Sequence, residues 1–119
     1  MKVRELREDE VEFTLEIEDE HIPVEGHFAT DEPEKDRQLE REILSRLNRG
    51  DLWAWCCVKV TAKWKDWQGT DYLGACSYEN EADFKSEGGY WEGMKAEALA
   101  DLNKRIAGCA ESIAELQVA

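Results

Sequence analysis

From Val11 to Glu18 apolar and hydrophilic residues alternate without a break, and this pattern constrains the fold more than any other stretch of the chain. Successive side chains of an extended strand point to opposite faces of a sheet, so Val11, Phe13, Leu15 and Ile17 share one face. Glu12, Thr14, Glu16 and Glu18 share the other. A strand of this kind must bury one side and leave the other in water, and here the wet side is strongly negative.

That polarity runs through the whole molecule, which has 119 residues, 28 Asp and Glu against 15 Lys and Arg, and a net charge of -13. Such a balance repels nucleic acid and anionic lipid, so direct binding to either is not expected. It favours a basic partner or simple solubility. Residues 1–50 hold 16 acids and 8 bases, residues 51–119 hold 12 and 7, and the N-terminal half is the more acidic. An apolar content of 42% supports a globular fold, and the length suits a single domain over residues 1–119 with residues 1–10 loose. Met1 to Glu10 has no apolar core of a secretion signal, and uncharged runs such as Leu52 to Val58 are too short to cross a bilayer. A cytoplasmic, membrane-free setting is the expectation. Cys56, Cys57, Cys76 and Cys109 show no CxxC spacing, so reduced thiols are expected in place of disulfides.

Beyond the first strand, Ile22 to Phe28 reads as a short edge strand or an irregular segment, because Pro23 cannot donate a ladder hydrogen bond. Asp31 and Glu34 resemble a capping box around Pro33, and Leu39, Ile43, Leu44 and Leu47 recur at helical spacing. A helix over about Pro33 to Arg49 is predicted, with acids early, arginines late and Gly50 as its stop. Leu52 to Trp64 reads as a central strand, Lys65 to Gly69 as a turn, and Thr70 to Tyr78 as the returning arm of a hairpin. The small residues Gly74, Ala75 and Ser77 predict a close approach there. From about Tyr90 the residues Met94, Ala98, Leu99, Leu102, Ile106, Cys109, Ile113 and Leu116 follow the helical period, with a bend near Gly108 or a projecting last turn expected. The predicted class is α+β: a small antiparallel sheet of 3–4 strands with both helices on one face, in the order β-(β)-α-β-β-α.

Two groups of side chains stand out. Alternate residues on a strand lie about 6.6 Å apart, close to the rise of two nucleotides, so Glu16 and Glu18 either present carboxylates at phosphate-like intervals and imitate DNA or, with Glu12, simply solvate an outer face and guard an edge. If the helices cover the row that carries Val58 and Val60, then Trp53 and Trp55 face outward beside Lys59 and Lys63. These indoles, with Trp67 near the hairpin turn, either fill a core or anchor an interface. No nucleophile with its base, phosphate loop or carboxylate pair in an apolar cleft can be assigned, so no enzyme activity and no catalytic residue is expected. His27 pairs with Cys57 or Cys76 by residue type alone. Adjacent Cys56 and Cys57 point to opposite faces of a strand, which argues against a metal site, and no cofactor is implied.

The runs Asp51-Leu52-Trp53-Ala54-Trp55-Cys56-Cys57-Val58, Tyr72-Leu73-Gly74-Ala75-Cys76-Ser77-Tyr78 and Met94-Lys95-Ala96-Glu97-Ala98-Leu99-Ala100-Asp101-Leu102 resemble small acidic proteins of bacterial phages and mobile elements. The likeness covers about residues 22–107 and transfers no functional residue. It implies a setting in which acidic proteins act as inhibitors of host defence, such as anti-CRISPR or antirestriction proteins. The expected function is therefore an acidic binder or inhibitor that engages a basic, nucleic-acid-handling bacterial protein, with Glu12, Glu16 and Glu18 supplying charge and Trp53, Trp55 and Trp67 supplying specificity. A self-associating assembly module, acting through the Trp row or through Cys109 to Leu116 as a homodimer, is the alternative. A small enzyme or metal-binding protein is the third.

Overall fold

The computed structural model describes residues 2–86 and 89–117. A 3-10 turn at Glu8–Glu10 precedes β1 (Glu12–Asp19), and α1 (Pro33–Asn48) follows an irregular stretch. A second 3-10 turn, Leu52–Ala54, leads into β2 (Cys56–Trp64), β3 (Trp67–Cys76), a single helical turn α2 (Glu81–Phe84) and α3 (Trp91–Leu116). The three strands form one antiparallel sheet in the order β1-β2-β3, and the fold is α+β. Ile22 to Phe28 is irregular and forms no strand.

The rows of β2 explain why it lies in the middle. Cys56, Val58, Val60 and Ala62 are buried, whereas Cys57 and Lys59 are half-buried and Lys63 is exposed. The strand is shorter at its start than its composition predicts. Asp51 and Leu52 carbonyls accept from Ala54 and Trp55 amides, and this turn interrupts the alternation that would have placed Trp53 and Trp55 in one row. The hairpin turn is tighter than predicted as well, because Lys65 itself takes the left-handed conformation (φ 53°) and β3 resumes at Trp67.

Two compact units can be distinguished, and each is described by itself. The first comprises Met1–Leu15, Val60–Asp71 and Tyr90–Ala119. Within it the backbone of α3 lies directly on β3: a Cβ added at Gly69 would collide with the Ala98 carbonyl oxygen and the Leu102 amide nitrogen. Met94, Ala98 and Leu102 are buried along α3. The N-terminal arm, expected to be loose, is instead tied down. Asn103 Oδ1 accepts from the Leu6 amide at 2.8 Å, its Nδ2 donates to the Leu6 carbonyl at 3.1 Å, and Leu6 is buried. Met1 lies outside the described residues. α3 runs through Gly108 without interruption, and its last turn leaves Leu116 81% exposed.

The second unit comprises Glu16–Lys59 and Tyr72–Gly89. Its core gathers Val24, Ile43, Ala54 and Trp55, with Phe28, Leu44, Leu47 and Ala75 packed around them. α1 starts without the predicted capping box, since neither Asp31 nor its N-cap Glu32 makes a side-chain cap. Asp36 supplies the order by accepting from the Thr30 amide (2.8 Å) and hydroxyl (2.7 Å). The predicted stop is present: Gly50 is left-handed (φ 83°), its amide donates to Leu47 O, and that of Asp51 donates to Arg46 O, the two bonds of a Schellman motif.

Candidate functional site

β1 carries the alternation into three dimensions. Phe13, Leu15 and Ile17 are half-buried, and Glu12, Thr14, Glu16 and Glu18 are all exposed. Among the described residues Glu12 and Glu16 form no ion pair, while Glu18 lies 3.8 Å from Lys59 Nζ. That separation is at the long end for a salt bridge between partly exposed groups and contributes little to holding either side chain. Within the second unit Lys59 also sits 5.7 Å from the ring centre of Tyr72, which is 53% exposed. Glu16, Glu18, Lys59 and Tyr72 thus form a wet surface of two carboxylates, one ammonium and one phenol ring.

The indoles are placed differently from the expectation. Trp55 is 5% exposed, its Nε1 donates to the Ile22 carbonyl at 2.7 Å, and His27 and Phe28 pack against it at 5.0 and 6.0 Å. A buried indole with its N–H satisfied belongs to the core, so Trp55 is withdrawn from any partner surface. Trp53 is half-buried against Tyr78 and Phe84 at 6.5 and 5.8 Å. Trp67 opens β3 and is half-buried. Within the second unit, Trp53 and Trp55 therefore do not share a row. Tyr72 is the residue that sequence reasoning passed over, although the two-residue period of β3 places it beside Thr70 and Gly74 on one side, whereas the sequence already predicts Lys59 on the outward row.

The thiols and histidines offer little chemistry. Burial pushes Cys56 up to about 12 and Cys76 up to about 11. Cys57 is also raised, first by burial and then by the carboxylates of Glu20 and Glu18. A thiol held in the protonated form is a poor nucleophile and a poor metal ligand. His27 packs edge-on against Phe28 and Trp55, and among the described residues it has no hydrogen bond to either Cys57 or Cys76. No group of three metal-ligating side chains occurs among the described residues, and none of their helices is long and apolar enough to cross a membrane.

Glu20 is an acid of another kind. Its carboxylate accepts from the Ile22 amide (3.0 Å) and from the Ala75 amide, and these bonds, Ala75 first, hold it below the usual carboxylate range. Ala75 is left-handed (φ 54°), a conformation that costs a non-glycine residue roughly 1–2 kcal/mol. Gly74 gives the carboxylate room, since a Cβ there would stand 2.8 Å from Glu20 Oε2. The close approach predicted at Gly74 and Ala75 is thus made by a side chain of the segment after β1. Comparison of the chain with protein families, with curated proteins and with solved structures finds no significant match to any of the three.

Proposed function

We propose that this chain is an acidic binding protein that engages a basic, nucleic-acid-handling protein in the bacterial cytoplasm, with the outer row of β1 standing in for DNA phosphates. A phage or mobile element, with host defence as the target, is the setting we propose for it. The observation that carries the reading is the exposed row itself: Glu12 and Glu16 stand without ion pairs among the described residues, and Glu18 has only the 3.8 Å contact with Lys59. Glu16 and Glu18 lie about 6.6 Å apart along the strand and Glu12 about 13 Å from Glu16. Carboxylates without close ion pairs cost less to desolvate against a partner's cations than carboxylates that must first leave their own. A field of one sign speeds encounter with a partner of the opposite sign, and an exposed aromatic slows release. Tyr72 fills the second role in place of Trp55.

Capture from bacterial lysate on the immobilised chain, at low and high salt, tests the proposal. Basic nucleic-acid-handling proteins should be retained at low salt and released at high salt. The variant with Glu12→Gln, Glu16→Gln and Glu18→Gln should lose them, and Tyr72→Ala should shorten retention. Unchanged capture by the triple variant refutes the role of this row.

A further inference from the structure

Sequence reasoning assigns the arginines of α1 to the helix dipole, but the structure divides them. Arg46 turns inward, with Nε 2.8 Å from Asp51 Oδ2 and Nη2 donating to the Tyr78 carbonyl. Arg37, Arg41, Ser45 and Arg49 instead follow one another at four-residue intervals, and all are exposed. Among the described residues none of these three arginines forms a salt bridge, although the charge of Arg49 is felt by Asp51. The stripe borders a shallow groove lined by Gln38, Arg41, Glu42, Ser45, Arg46 and Arg49, where Arg41 and Arg49 stand without salt bridges among the described residues on a very acidic protein.

The spacing of this stripe fits the molecule's own acidic row. The twelve steps from Arg37 to Arg49, the residue that caps α1, rise about 18 Å. Six strand residues from Glu12 to Glu18 rise about 20 Å. Laid in opposite directions, Arg37 meets Glu18, Arg41 meets Glu16, Ser45 meets Thr14 and Arg49 meets Glu12, so the uncharged position of one row falls opposite the uncharged position of the other. We propose that a second copy of this chain docks the outer row of its β1 along the Arg37–Arg41–Ser45–Arg49 stripe of α1. The inference does not rest on the foreign partner proposed above, with which such a contact would compete for the same carboxylates.

Phosphates of a nucleic acid could also match arginines about 6 Å apart. The unit that carries the stripe has 16 acids against 7 bases, so a polyanion would be repelled from everything around it. A second copy of net charge -13 meets the same repulsion, screened for either polyanion beyond about 8 Å at physiological salt. What favours the copy is the match of its charged and uncharged positions to those of the stripe. Each exposed pair strengthens association by at most about fivefold, so the contact is weak, reversible and sensitive to salt.

Sedimentation velocity over a concentration series, with variants chosen by register, tests the inference. Wild-type chain should self-associate. Glu12→Arg with Glu16→Arg, and separately Arg41→Glu with Arg49→Glu, should each weaken association at least tenfold while circular dichroism stays unchanged. Mixing the two variants should restore a complex, because each then supplies the charge the other lacks. Should either double variant fail to fold, Arg41→Gln with Arg49→Gln gives a smaller loss, by removing the attraction without adding repulsion, and association equal to wild type in that variant overturns the proposal. A wild type that remains monomeric throughout overturns the proposal, as does a mixture that forms no complex. Binding of a DNA oligonucleotide that is lost in the arginine variants overturns it too, by giving the stripe to nucleic acid.

Discussion

The two compact units use their acids in different ways. In the second, carboxylates hold backbone as well as cations: Glu20 accepts from Ile22 and Ala75, Glu40 from Gly26, Asp36 from Thr30 and Asp83 from Glu79, while Asp51, Glu32 and Glu81 pair with Arg46, Lys35 and Lys85. The chain from Glu20 to Glu32 lacks regular structure, so its amides find no ladder or helical partner, and side-chain acceptors answer them. In the first unit carboxylates mostly hold cations. Arg4 grips Glu10 through two bonds of 2.9 and 2.7 Å, and Lys95 lies 3.0 Å from Glu8 and 3.2 Å from Glu92. Asp101 does both, accepting from the Thr70 amide at 2.9 Å and from Arg105 at 3.0 Å. A negative total therefore overstates the charge left for a partner, since part of it is structural acceptor. The cores differ as well: aromatic rings fill the second unit, whereas in the first a helix backbone sits on a glycine.

The largest test of this contrast is Trp55→Ala, which should cost about 3–5 kcal/mol by urea unfolding, with hydrogen exchange rising first at amides such as Gly26 and Thr30. A loss below 1 kcal/mol would mean that the aromatic cluster does not hold the second unit. Gly69→Ala should cost about 1–3 kcal/mol, because α3 must lift from β3 to admit a methyl group, and its exchange signature should fall on Met94 to Leu102 instead. Stability equal to wild type would refute the close approach. Glu20→Ala should cost roughly 1–2 kcal/mol, the loss of two charge-assisted bonds to backbone amides. The pH dependence has a definite sign. Since the folded state holds Glu20 below its ordinary value of 4.5, its contribution is complete above that value and disappears as the pH falls through the folded value. The wild type should therefore lose more stability on acidification than the Ala variant, and parallel acid profiles would contradict the latch. The smallest effect belongs to Lys95, whose Nζ also lies 5.6 Å from the Phe13 ring and 5.1 Å from that of Trp91. Lys95→Met should cost about 0.5–1 kcal/mol, and that cost should shrink as salt is added.

What the sequence reveals follows from which features are periodic. β1 is legible because its alternation is strict, α1 because its apolar residues recur at helical spacing and Gly50 ends it, and α3 because nothing interrupts its period. The start of β2 is not legible: Leu52 to Trp55 has strand-like composition, yet a turn sustained by local hydrogen bonds overrides it, and with it the reading of Trp55 as a surface residue. The N-terminal arm escapes notice because its anchor, Asn103, lies 97 residues away. The exposed carboxylates of the candidate site are readable from alternation alone. The arginine stripe is hidden because Arg46, next to Ser45 in the chain, breaks the four-residue series, and only tertiary contacts separate the inward arginine from the outward three. Gly69 looks like a turn residue until α3 is seen pressed on it.

The carboxylate of Asp101 stands where the carbonyl of an incoming strand would have to come to reach the Thr70 amide. β3 is an edge strand, and an unanswered edge is a template for fibrils. By answering that N–H from within the chain, α3 withdraws one rung of this border from incoming strands, and at neutral pH concentrated solutions of Asp101→Ala should gel sooner than those of the wild type.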